Sequence, residues 1–251
     1  MKVSDFSYNL PEELIAQYPP QVRGQSRLLV LHRQSQKIEH KKYQDLAGYI
    51  EPGDVIVLND TKVIKARLIA KNNKGKTREL LLLEDHHNTD FTRRRAIYRG
   101  KLTQGEILQI GSHEVRVEQV IDGGIVEVSS NINLLELADK KGTVPLPPYM
   151  KRDATKADVE RYQTVFARNT GSVAAPTASL NFTHELEEQI TGNGGIVVYL
   201  TLHVGLGTFL PIRSDEIESH KMHSEYFEIP EATIKAIQKA ENIGARIFAV
   251  G

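Results

Sequence analysis

Blocks of period-two and helix-period patterning follow one another along this chain. Arg27–Leu31 (RLLVL) and Lys37–Tyr43 predict two strands joined by a polar turn. Glu51-Pro52-Gly53-Asp54 predicts a turn, and Val55–Leu58 (VIVL) a buried strand behind it. From residue 64 to 129 the apolar runs shorten: IKARLIAK, RELLLLE, RRRAIYR, EILQI, HEVRVEQVI and IVEVSS. Asn72-Asn73-Lys74-Gly75, Gly100, Gly105, Gly111-Ser112 and Gly123-Gly124 punctuate them. Short strands at this spacing predict a small barrel or sandwich. Pro145, Pro147 and Pro148 then mark a rigid exit.

The flanks read differently. Pro11 before Glu12 and Glu13 suits the first turn of a short helix, which Pro19-Pro20 stops. Val159–Phe166 predicts a helix, and Thr183 caps another that ends near Gly192. Ile196–Val204 is a β-branched strand. Ala232–Asn242 is an amphipathic helix stopped by Gly244, and Ala245–Val250 is a further strand. That strand–helix–strand order implies a parallel pair with a right-handed crossover. The pattern divides the chain into a discontinuous α/β domain, 1–63 and 145–251, and an inserted barrel, 64–144. Strands of such a domain are usually buried on both faces. An apolar strand running up to Gly251 therefore suggests that a C-terminal part is missing.

The 251 residues suffice for one large domain or two modest ones. With 40% hydrophobic and 25% charged residues the chain reads as a soluble globular protein. Lys+Arg and Asp+Glu balance at 32 each, so a nucleic-acid surface would need its basic residues gathered on one face. There is no cysteine, which rules out disulfides, thiolate catalysis and Cys-ligated clusters from this chain. The N-terminus has no apolar leader core and no stretch approaches a membrane span, so a soluble, cytoplasmic protein without a membrane partner is expected.

Eight segments in order carry a resemblance: FSYNLPEELIAQYP, SRLLVL, GDVIVLNDTKVIKARL, GTVPLPPYMKR, ERYQTVFAR, GSVAAPTASLNFT, LTLHVGLGTFLPI and HKMHSEYFEI. Together they resemble the S-adenosylmethionine:tRNA ribosyltransferase-isomerase family of queuosine biosynthesis. The resemblance implies an α/β/α domain with an inserted small β-barrel, in agreement with the split at 64 and 144. It implies transfer and isomerisation of the ribosyl group of S-adenosylmethionine onto 7-aminomethyl-7-deazaguanine at the tRNA wobble position. Epoxyqueuosine-tRNA forms, and adenine and methionine leave. S-adenosylmethionine is then a co-substrate, no cofactor or metal is required, and the tRNA anticodon loop is the partner. Family members run about a third longer. Monomer and homodimer both stay open.

Such a reaction needs a base for the carbon beside the sulfonium and a donor for the departing adenine. His203, in TLHVGLGTF at a strand end, is the first candidate, since ligands of parallel sheets bind beyond carboxyl ends. Gly205, Gly207 and Thr208 would line the donor site, with glycine admitting close backbone approach. Alternatively, His203 is a histidine bonded within a tight turn. His220, His223 and Glu225 could share a helix face, with the carboxylate orienting a ring; metal-free polar side chains facing water are the alternative, and zinc lacks a third ligand at suitable spacing. Asn59, Asp60 and Thr61, beyond the buried strand, are candidate substrate contacts or an Asx-turn, with Arg67 a further contact.

Ala175, Pro176 and Thr177 could let a planar base lie against the backbone, or form a tight crossing. Here the sequence departs from the family's Ala-Gly-Leu-His-Phe-Thr. Ser179 stands for the glycine, which would alter a position needing φ > 0 or close approach, and Asn181 stands for the histidine, which removes a titratable group. Lys62 and Lys65 stand for the usual Arg and Pro, and the barrel's Arg-Pro-Gly appears as Tyr98-Arg99-Gly100-Lys101. Arg93, Arg94, Arg95, Arg99 and Lys101, with Lys151 and Arg152, are the candidate tRNA contacts; solvated strand faces are the alternative. A degenerate relative that binds without turnover and an RNA-binding adaptor are rival functions. A methyltransferase is disfavoured, because no Gly-rich loop joins an early strand to a helix.

Overall fold

The computed structural model describes residues 1–83, 89–121, 123–147, 149–209, 212 and 214–251. In chain order, β1 (Arg27–His32) and β2 (Lys37–Lys42) form an antiparallel ribbon, followed by β3 (Val55–Asn59) and β4 (Thr61–Val63). β5 (Arg67–Asn72), β6 (Thr77–Leu82), β7 (Arg93–Arg99), β8 (Ile107–Ile110), β9 (His113–Ile121) and β10 (Ile125–Ser130) come next. After them run α1 (Leu134–Lys141), α2 (Lys156–Arg161), β11 (Asn169–Ser172) and α3 (His184–Gly192). β12 (Ile196–His203), β13 (Tyr226–Glu228), α4 (Glu231–Ile243) and β14 (Ile247–Val250) complete the order.

The six middle strands close into a barrel in the order β10-β7-β6-β5-β8-β9, which leaves no free edge. Alternation explains its filling: Leu68, Ala70, Leu80, Leu82, Val126 and Val128 are each fully buried. The same alternation turns Arg94 inward, so the Arg93–Arg95 run is not one exposed patch; Arg94 is 6% exposed and its Nη1 donates to Leu83 O. One end of the barrel is closed by α1, through Leu134, Leu137 and Ala138. Asn133 caps this helix by accepting from Leu135 N and Glu136 N, a start signal that NLLELADKK carries but strand-like punctuation on either side hides.

The second sheet has the order β13-β12-β3-β14, with β12 and β14 parallel to β3 and β13 antiparallel at the edge. The predicted parallel pair is therefore not a pair of neighbours, because β3 lies between its members. All five residues of β3 are buried. Val55 and Val57 face α4, whereas Ile56 and Leu58 face α3, Phe182 and the 3₁₀ segment Tyr43–Tyr49. Helices on both faces thus give the α/β/α layering.

Thr183 caps α3 as expected, accepting from Leu186 N at 3.2 Å, and Gly244 ends α4 at φ +70°. The helix expected at Val159–Phe166 is displaced. It starts at Lys156, where Thr155 and Asp158 form a capping box, and stops at Arg161. Two residues later the Gln163 amide accepts from Val63 N at 3.0 Å and donates to Val63 O at 2.7 Å. No described helix is long and apolar enough to cross a membrane.

Candidate active site

Polar residues gather where β3 and β12 end. Asn59 Oδ1 accepts from Thr61 N and Leu202 N, and its Nδ2 donates to Leu202 O at 2.8 Å. The bond to Thr61 is the Asx-turn alternative. Asp60, 1% exposed, accepts from Arg168 Nε at 2.6 Å, Thr201 Oγ1 at 2.7 Å and Asn169 Nδ2 at 3.1 Å. Thr61 Oγ1 is hydrogen-bonded to His203 Nδ1 at 2.6 Å, and the His203 ring stacks on Tyr226 with centroids 5.7 Å apart. Asn59, Asp60 and Thr61 therefore tie strands together through bonds within the protein.

The glycine motif and HKMHSEYFE lie antiparallel beyond β12 and β13. His203 pairs with Tyr226, Gly205 N donates to Glu225 Oε1 at 3.0 Å, and His223 packs on Gly207. A Cβ on Gly207 would sit 3.2 Å from His223 Cδ2, so this glycine admits the imidazole. Residues 220–225 are irregular, which corrects the shared helix face expected for His220, His223 and Glu225. His220 instead follows the turn Ile217–Ser219, its N–H donating to Ile217 O. Thr208 is exposed in the 3₁₀ turn Leu206–Phe209.

A cleft of about 290 Å³ opens elsewhere, near the low end for small-molecule sites. Tyr18 and Pro19 of the first motif form part of its wall, with Ser26 of the second. Leu146, Tyr149 and Arg152 come from the proline-rich motif, Tyr162 from ERYQTVFAR, and Thr177 and Asn181 from GSVAAPTASLNFT. Pro148 lies outside the described residues. Asp158 organises one wall. It accepts from Arg152 Nη1 and Nη2 at 2.7 and 2.8 Å, and from Thr155 N and Oγ1, both at 2.7 Å. The Arg152 guanidinium first, and the Thr155 donors after it, hold this carboxyl well below the usual range against the opposing effect of burial.

Arg152 is thereby committed within the protein, and Lys151 pairs with Glu12; both expected tRNA contacts have internal partners. Arg67 sits between Glu79 (3.5 Å) and Leu146 O (3.5 Å), with its buried Nε lacking a hydrogen-bond partner among the described residues. Ala175 and Pro176 are buried, as the tight crossing requires, and only Thr177 of the three is exposed. Ser179 is not at positive φ; it is buried and its Oγ donates to Val250 O at 2.8 Å. Asn181 Oδ1 accepts from Ser26 Oγ at 2.5 Å. Burial pushes the Tyr162 phenol up to about 12, opposed by the Ala175 backbone N–H, which does not reach hydrogen-bond geometry. Tyr18, Asp158 and Tyr162 escaped the sequence reading; the tyrosine beside Pro19-Pro20 was the available signal.

All eight motif segments reach one of these two places, and ERYQTVFAR, through Tyr162 and Arg168, and GSVAAPTASLNFT reach both. Ser172 Oγ accepts from Val204 N at 2.9 Å beside His203, and Thr177 and Asn181 stand at the cleft. The family model described as "Queuosine biosynthesis protein" matches residues 3–251. The chain belongs to that family. A relative from Chlorobaculum parvum, named S-adenosylmethionine:tRNA ribosyltransferase-isomerase, is 51% identical over all of this chain and 73% of its own length. One of the same name from Desulforamulus reducens is 44% identical, over all of this chain and 74% of its own. Among solved structures, an S-adenosylmethionine tRNA ribosyltransferase from Thermotoga maritima is 30% identical, covering 98% of this chain and 69% of its own, with a TM-score of 0.43.

Proposed function

We propose that this chain is an S-adenosylmethionine:tRNA ribosyltransferase-isomerase of queuosine biosynthesis. The observation that carries the reading is the 51% identity to a relative of that name along the whole chain. The meeting of the family's motifs at an open cleft and at a polar cluster supports it. On this reading the cleft receives substrate, and residues 172–181 connect it to His203. With its Nδ1 engaged by Thr61, His203 has a fixed ring orientation, as an acid–base group requires. Asn181, standing where the family has histidine, can hydrogen-bond but not carry a proton at neutral pH.

The same reading treats residues 64–144 as an inserted domain. The exposed outer residues of β7, Arg93, Arg95 and Arg99, together with Lys101, would meet the phosphates of an anticodon loop. Cytoplasmic location fits a tRNA-modifying enzyme. The test is incubation with S-adenosylmethionine and tRNA bearing the aminomethyl-deazaguanine base. Adenine release with a tRNA mass gain is expected. Binding of both substrates without release would replace this reading by that of a degenerate relative.

A further inference from the structure

Tyr18 combines two properties that seldom coincide: its residue is 66% exposed and its backbone neighbours are fixed. Arg152 Nε donates to Gln17 O at 2.8 Å, and Lys151 N donates to Gln17 Oε1 at 3.2 Å. On the other side, Arg161 donates to Pro20 O at 2.9 Å and Gln21 O at 3.1 Å. Pro19 and Pro20 stiffen the stretch between. The Arg152 guanidinium lies 4.3 Å from the Tyr18 ring centroid and is itself held by Asp158 in a two-pronged ion pair. One face of the ring is thus backed by a cation that cannot swing away, and the rest of the ring stays open at the cleft.

A rigid, exposed aromatic face suits a flat partner, because little freedom remains to be lost when the partner lands. Polar groups on the same cleft favour a base over a purely apolar ligand. Asn181 uses its Oδ1 on Ser26, and its amide NH₂ has no protein acceptor among the described residues. We propose that Tyr18 is a stacking platform for a substrate nucleobase, with Asn181 Nδ2 donating to an acceptor on that base's edge. This rests on the function proposed above and assigns a binding role to a residue outside the acid–base chemistry. The base could belong to the adenosyl group of S-adenosylmethionine or to an unpaired nucleotide of the RNA.

Two binding measurements on the full chain separate these sources: equilibrium dialysis with S-adenosylmethionine, and fluorescence anisotropy with a labelled anticodon stem-loop RNA. Tyr18→Ala should weaken one of them roughly tenfold, in the range of base–aromatic stacking, and Tyr18→Phe should leave both within about twofold of the unsubstituted chain. Loss confined to dialysis assigns the platform to the adenosyl group; loss confined to anisotropy assigns it to RNA. An unchanged thermal midpoint for Tyr18→Ala confirms that the ring acts on ligand and not on folding. Two results overturn the platform alone: no change in either affinity for Tyr18→Ala, or equal losses for the Phe and Ala variants. An unsubstituted chain that binds neither probe overturns the proposed function along with it.

Discussion

The polar cluster beyond β3 and the cleft at Tyr18 draw on the same set of motifs, yet they treat side chains in opposite ways. In the cluster, Asn59, Asp60, Thr61 and His203 are all buried and all bonded to protein. In the cleft, Tyr18 and Tyr149 are more than half exposed and the Asn181 amide keeps donor capacity. Burial with partner count therefore measures how tightly a motif residue is held, the cluster fixing its side chains, that of His203 included, and the cleft leaving its own partly free. Buried polar groups that lose a partner are costly, whereas exposed ones are replaced by water.

That contrast can be broken most directly at Asp60. Asp60→Ala takes the acceptor from the Thr201 hydroxyl and releases Arg168, leaving Asn169 its bond to Thr201, and should lower stability by about 2–4 kcal/mol in urea unfolding. Asn181→Ala in the cleft should change stability by less than about 1 kcal/mol. Equal losses would erase the distinction.

Asp158→Asn tests the buried ion pair of the cleft and should be destabilising by about 2 kcal/mol. The Asp158 carboxyl is held below its unfolded value, so its stabilisation is fully present above the unfolded value, near pH 4, and fades as pH falls toward the folded one. The gap between the two proteins should be constant above about pH 5 and narrow on acidification. A gap that widened in acid would contradict the assignment. Thr61→Val should have a smaller effect, about 1 kcal/mol, with a shift in the pH profile of turnover if the hydroxyl orients His203. At the small end, Arg95→Ala on the barrel's outer face should weaken stem-loop binding only a few fold and make its salt dependence shallower. An unchanged slope would remove Arg95 from the RNA surface.

Much of the fold was legible because each element carried a local signal. The barrel strands came from period-two alternation between glycine turns, and α3 and α4 from Thr183 and Gly244. What escaped depends on contacts distant in sequence. β4 and β11, a short parallel pair, have register partners more than a hundred residues apart and no periodicity of their own to reveal them. β13 has three exposed residues and owes its strand form to β12. The site was less legible than the fold. The motifs marked the right segments, but sequence alone could not tell that Asn59 would be enclosed, that Arg94 would point into the barrel, or that Arg152 would be engaged by Asp158. Those outcomes follow from burial and pairing, which only the assembled chain determines.

Gln163 makes one side chain do the work of backbone. Strand β4 has β11 along one side, and on the other the buried Val63 would be left with an N–H and a C=O that no strand pairs, which is costly away from water. The Gln163 amide occupies both groups, standing in for a whole neighbouring strand. A pairing made from one side chain is lost with one substitution, unlike a backbone ladder, so both backbone groups of this buried residue depend on a single glutamine.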